Sequence, residues 1–177
     1  MKKIYKLINE NGILSSLIAS VIFAIVLLFL NNERKSLVYD VFFHEKIIDV
    51  EQGKGFEIYD SDSVKVTDNL YLLKLDIWNK GNKPISITDI KEKINFQLDT
   101  SAVILNEVVI HENYSNVTNT TILKQSNKIF LNFDYLEKQN AIRLQLYYSN
   151  NEKSKVKFNG YIAEGDNIQR ISKCPIF

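Results

Sequence analysis

Residues 70–78 read LYLLKLDIW, and this stretch decides the fold. Tyr71, Leu73, Leu75 and Ile77 fall on one side of an extended chain, Lys74 and Asp76 on the other. A period of two with one apolar and one charged face marks an antiparallel strand that buries one side and wets the other. Ile142, Leu144, Leu146 and Tyr148 alternate with Arg143 and Gln145 in the same way. Ile94, Phe96 and Leu98 do so around Asn95 and Gln97. Residues 37–43, 102–110, 128–133 and 155–163 are further β-rich runs, and no stretch after residue 36 keeps a helical stripe for three turns. Short strands without helical crossovers predict an all-β domain over residues 36–165. The expected architecture is an antiparallel β-sandwich, with a β-barrel as the alternative.

Turn chemistry agrees. Asn79, Gly81, Asn82 and Pro84 separate two apolar runs, at positions where positive φ and a missing backbone donor are tolerated. Residues 60–63 (DSDS) and 149–152 (SNNE) also read as loops, and residues 112–125 as a long polar loop or a weak exposed strand. The pattern Asn79-x-Gly81-Asn82-x-Pro84-Ile85, entered by an alternating strand, resembles the strand-turn-strand signature of bacterial immunoglobulin-like β-sandwich domains. The resemblance implies a fold and no activity. The immunoglobulin cysteine pair is absent, because Cys174 is the only cysteine.

Upstream of the β pattern the chain is different. Residues 11–32 contain no charge, and their core, ILSSLIASVIFAIVLLFL, is apolar or small throughout. Eighteen such residues rise roughly 27 Å as a helix, close to a bilayer's hydrocarbon thickness. Serine hydroxyls within the run can bond to carbonyls one turn earlier. No Ala-x-Ala-like cleavage site follows, so an uncleaved transmembrane helix over residues 13–32 is expected, after a short basic tail, 1–12. Lys2, Lys3 and Lys6 precede it and Arg34, Lys35 and Lys46 follow, so the count of basic residues narrowly favours a β domain outside the cytoplasm. Ser16, Ser20 and Ala24 recur every fourth position and form a candidate helix-association face. Residues 166–177 read as a weakly patterned tail.

The whole chain has 177 residues, 45% hydrophobic and 24% charged, with net charge +1 and mean hydropathy -0.14. Those averages conceal the apolar run. Beyond residue 32 the balance is 19 Lys and Arg against 20 Asp and Glu, which argues against a nucleic-acid partner. Six glycines form neither a dinucleotide fingerprint nor a phosphate-binding loop. His44 and His111 each precede a glutamate but lack the ligand spacing of a zinc site. Asp60 and Asp62 invite a calcium reading, yet the twelfth loop position is Tyr71 rather than glutamate. No nucleophile motif is present, and Cys174 reads as incidental. The sequence therefore predicts no enzyme, cofactor, metal site or catalytic residue. Three sequons begin at Asn113, Asn116 and Asn119, in a chain enriched in asparagine throughout.

Lys153, Lys155 and Lys157 alternate along one expected strand face and form a candidate contact surface for an anionic headgroup or a phosphate. The overall charge balance favours the plainer reading, a solvated or edge-protecting face. The expected function is a single-pass membrane protein presenting a non-catalytic β-sandwich binding module. Its partners would be the bilayer, a membrane-proximal protein or small ligand met through the 79–84 and 112–125 loops, and itself through the helix. The alternative is a small bacterial defence or stress effector whose cytosolic β domain senses a ligand and clusters the helices.

Overall fold

The computed structural model describes residues 12–30, 34–50, 57–60, 63–110, 119–165 and 167–172. The chain divides into two compact units, Met1–Glu33 and Arg34–Phe177.

The first unit holds one helix, α1, Gly12–Leu30, so the apolar run does fold as the sequence predicts. Ser20 donates its hydroxyl to the Ser16 carbonyl at 2.8 Å, the local bond that lets serine sit in an apolar helix. Among the described residues, however, no helix is long and apolar enough to cross a membrane. The structure thus supplies a helix without a span, and the transmembrane assignment of residues 13–32 rests on the sequence.

The second unit is built of strands: β1 (Leu37–Ile48), β2 (Leu70–Asn79), β3 (Ile85–Ser86), β4 (Ile90–Gln97), β5 (Val103–Ile110), β6 (Thr121–Gln125), β7 (Lys128–Asn132), β8 (Tyr135–Leu136), β9 (Ala141–Ser149), β10 (Lys157–Ile162) and β11 (Gln169–Arg170). A five-stranded sheet runs β11-β1-β2-β9-β5, a four-stranded sheet runs β10-β4-β7-β6, and β3 pairs with β8. Apart from β1 with β11, the paired strands are antiparallel.

The alternating residues decide how the sheets meet. Leu73, Leu75, Ile77, Leu144 and Leu146 from the five-stranded sheet join Ile94, Phe96, Ile129 and Leu131 from the four-stranded sheet in one buried cluster. Two open sheets sharing an inner layer fit a β-sandwich. The barrel alternative fails, because neither sheet closes on itself: the larger ends at β11 and β5, the smaller at β10 and β6.

Two local expectations are corrected. The tail beyond residue 165 is not patternless, since Gln169 and Arg170 pair parallel with Val38 and Tyr39. Ile168 packs against the main core and Ile171 against Val38, Trp78 and Ala141, which anchors this short edge strand on both sides. The polar stretch 112–125, read as a loop or a weak exposed strand, takes the second form at its end, where β6 pairs with β7 from Thr121 to Gln125 and is mostly exposed. Finally, Asp76 was expected on a wet face but is only 2% exposed. Arg143 covers it, donating Nε to Oδ1 at 2.7 Å and Nη2 to Oδ2 at 2.9 Å. The Phe42 ring in turn lies 4.4 Å from the Arg143 guanidinium.

The turn after β2 follows the sequence in place but not in reason. Gly81 does not have positive φ; it is needed because a Cβ there would sit 2.1 Å from the Arg34 carbonyl oxygen. Asn79 is fully buried, accepts the Gly81 amide at 2.9 Å, and donates to the carbonyls of Lys83 at 2.7 Å and Leu136 at 3.2 Å. The 79–84 loop is thus spent on holding β2 to the chain entering β1 and to β8.

Candidate functional site

β1 changes character halfway along. Its first half, Leu37 and Val38, is buried, whereas Phe42, Phe43 and Ile47 are exposed. The change coincides with a bulge: Val41 pairs with Leu75 and Phe43 with Lys74, leaving Phe42 without a partner on β2. Bulges re-aim side chains and increase local twist. Here the result is an aromatic wall along the outer half of a strand.

Opposite that wall runs the segment joining β9 to β10. It is not a strand before Lys157, but it is pinned. Asn150 donates to the Ser154 hydroxyl at 2.9 Å, the Ser154 amide donates to the Tyr148 hydroxyl at 3.0 Å, and the Lys155 amide donates to Asp99 Oδ2 at 2.9 Å. Ser154 is buried, so Lys153 and Lys155 on either side are turned outward. Between this segment, β1 and β11 lies a cleft of about 860 Å³. Tyr39, Val41, Phe42, Phe43, His44 and Glu45 line it from β1, residues 153–157 from the joining segment, and Arg170 from β11. That volume lies in the range of small-molecule sites, roughly 300–1,000 Å³.

The cleft's charge is lopsided. Lys153, Lys155, Lys157 and Arg170 face a single lining carboxylate, Glu45, which Lys153 meets at 3.3 Å. Among the described residues Lys155, Lys157 and Arg170 have no ion-pair partner. His44 sits half-buried at the base, its Nε2 2.7 Å from the Tyr148 hydroxyl. Burial pushes the His44 pKa down, with the Lys153 and Arg170 charges adding to the shift and Glu45 opposing it, to about 4. The imidazole is therefore neutral near pH 7. Its Nε2 lone pair can accept the proton of a tyrosine whose own pKa is raised, chiefly by burial.

The three lysines of the sequence-derived contact surface thus meet in one cleft, although only Lys157 lies on a strand. Arg170, His44 and the Phe42 bulge were not read from the sequence as part of it. The signal for Arg170 was faint: two isoleucines, 168 and 171, flanking a two-residue strand. Of the expected contact loops, 79–84 is packed away from this cleft, and residues 111–118 lie outside the described part. Ser16, Ser20 and Ala24 are exposed on α1. Cys174, His111, Asp62, Asn113 and Asn116 also lie outside the described residues. Asp60 accepts the Val64 amide at 2.8 Å and closes the short hairpin joining Tyr59 to Lys65, which is turn chemistry. Asn119 donates to Asp134 at 2.6 Å.

The class defined by this geometry is a two-sheet β domain with an open, basic, aromatic-walled cleft. The chain matches no protein-family model, and no curated protein matches it in sequence.

Proposed function

We propose that this protein is a single-pass membrane protein presenting a non-catalytic binding module, of the bacterial immunoglobulin-like kind, near the membrane. The cleft carries the binding half of the reading. β1, β11 and the segment leading into β10 converge on it, that segment is pinned by backbone hydrogen bonds, and of the cleft's four cations only Lys153 meets a carboxylate among the described residues. For the membrane half, the support is α1: every described side chain from residue 16 to 27 is exposed and uncharged, with Leu17 59% and Phe23 64% exposed. A helix that is apolar all round wants an apolar surrounding. Only a few polar residues separate it from β1 in the sequence, so the partners of the module are membrane-proximal.

Alkaline carbonate washing of membranes from expressing cells tests the anchor. The full chain is expected in the pellet; release into the wash contradicts it. A single-cysteine series placed in the 112–125 stretch of a Cys174→Ser chain, labelled in intact cells, then reads topology. Reaction from outside supports an extracytoplasmic module, and protection until lysis supports the cytosolic effector reading.

A further inference from the structure

We propose that the cleft binds a phosphate-bearing anion, and that an organic polyphosphate of nucleotide size is the class that fits both of its walls. The inference rests on the binding-module reading and names the ligand for it.

Edge protection does not explain the cations. Lys157 lies on β10, an edge strand, and could serve that role alone. Lys155 lies before the strand, however, and Arg170 comes from the opposite sheet. Convergence of like charges from separate elements costs repulsion that the fold itself does not require. It also occurs in a chain whose charge is otherwise balanced, +1 overall. Glu45 answers Lys153, and Asp99 spends one oxygen on the Lys155 amide, so three cations stay available. Three available cations suit a di- or triphosphate better than a single carboxylate. Lysine supplies point charges and arginine a bidentate fork, both well matched to phosphate oxygens. Phe42 and Phe43 on the facing wall also meet Arg143 and Lys74, yet stay 43% and 37% exposed and so leave a surface for an apolar or aromatic part of the ligand. A nucleic-acid strand would need a basic track beyond the cleft, and the balanced domain does not supply one.

The test is titration calorimetry of the full chain in a zwitterionic detergent, with ATP and inorganic pyrophosphate as soluble probes. A parallel arm compares flotation with phosphatidylglycerol and phosphatidylcholine vesicles, and so separates a lipid headgroup from a free phosphate. Binding to either phosphate source is expected, weakened at least tenfold in Lys155→Ala/Lys157→Ala/Arg170→Ala and falling with added salt. ATP should bind more tightly than pyrophosphate if the aromatic wall takes part. The charge-matched Lys80→Ala/Lys93→Ala/Lys138→Ala chain should bind like wild type. No heat with either probe together with no preference for phosphatidylglycerol overturns the proposal, as does equal loss in both triple variants. Unfolding midpoints of all chains check that the variants fold, and Lys157→Glu, a single exposed change, provides a second weakened variant. Carbonate extraction and cysteine labelling do not involve the cleft, so failure of the anchor and failure of the ligand are read separately.

Discussion

The hydroxyl of Tyr148 lies 2.7 Å from Nε2 of His44, and this bond ties the core of the five-stranded sheet to the floor of the basic cleft. Tyr148 is fully buried and stacks on Tyr71 with ring centroids 5.1 Å apart. The same hydroxyl accepts the Ser154 amide, so one phenol positions both the histidine and the lysine-bearing segment.

Protonating His44 should therefore cost stability. Its folded pKa of about 4 lies below the ordinary 6.5, so the folded chain binds fewer protons than the unfolded chain between those values. The stability is fully present above about pH 6.5 and is lost as pH falls toward 4. Burial sets most of the shift, with Lys153 and Arg170 adding to it and Glu45 opposing it. Urea denaturation of wild type and His44→Gln, followed by fluorescence of Trp78, the only tryptophan, should show a shallower dependence in the variant over that window. Parallel pH curves would contradict the assignment.

Tyr148→Phe removes the acceptor for a buried amide while keeping the ring. It should cost about 1–3 kcal/mol and loosen the 153–157 segment. Hydrogen exchange at the Ser154 amide is the measurement, with faster exchange expected there than at the Val66 amide, which donates to Ile58 in a separate hairpin.

Asp76→Ala removes the carboxylate that receives two Arg143 hydrogen bonds in a mostly buried place, and should cost about 3–5 kcal/mol. Replacing both by leucine should recover much of that loss, because an apolar pair of similar volume carries no charge-desolvation penalty. A double-mutant cycle in urea measures it.

Gly81→Ala should destabilise despite the gain of about 0.4–1 kcal/mol that losing a glycine ordinarily brings, since the added methyl meets the backbone of Arg34. Asn79→Ala should destabilise as well, by stranding buried carbonyls. Neither change should alter the cleft, so thermal midpoints fall while ligand affinity per folded molecule holds.

If α1 spans a bilayer, Ser16→Leu with Ser20→Leu should reduce self-association in a membrane reporter, by filling the face on which close approach depends. Unchanged signal would remove helix pairing from the proposed function.

Period-two alternation was enough to place the long strands. β2, β9 and β4 bury the residues expected of them, from Leu73 to Leu146 and Phe96. Alternation did not reveal that Asp76 would be buried, because its partner Arg143 and the Phe42 lid come from two other strands, 67 and 34 residues away along the chain. It also gave a sound position and an incomplete reason for Gly81, since close approach of a distant backbone leaves no local trace. Alternation grouped Lys153, Lys155 and Lys157, but the strand face it expected holds for Lys157 alone, and the other two reach the cleft from a segment pinned by tertiary hydrogen bonds. Arg170 could not, because a two-residue parallel edge strand is held by tertiary packing of Ile168 and Ile171 rather than by its own pattern. Nor does any local signal announce that His44 will find Tyr148, 104 residues later.

The central claim is that the cleft between β1, residues 153–157 and β11 is the binding surface of this domain. Nitrogen-15 NMR of the full chain in detergent, titrated with ATP, tests it most directly. The largest shift changes should fall on Lys155, Lys157, Arg170 and residues 42–45, with residues 79–84 and 121–125 unmoved. Changes centred on those loops, or none anywhere while vesicles of either lipid also leave the cleft signals unmoved, would contradict it.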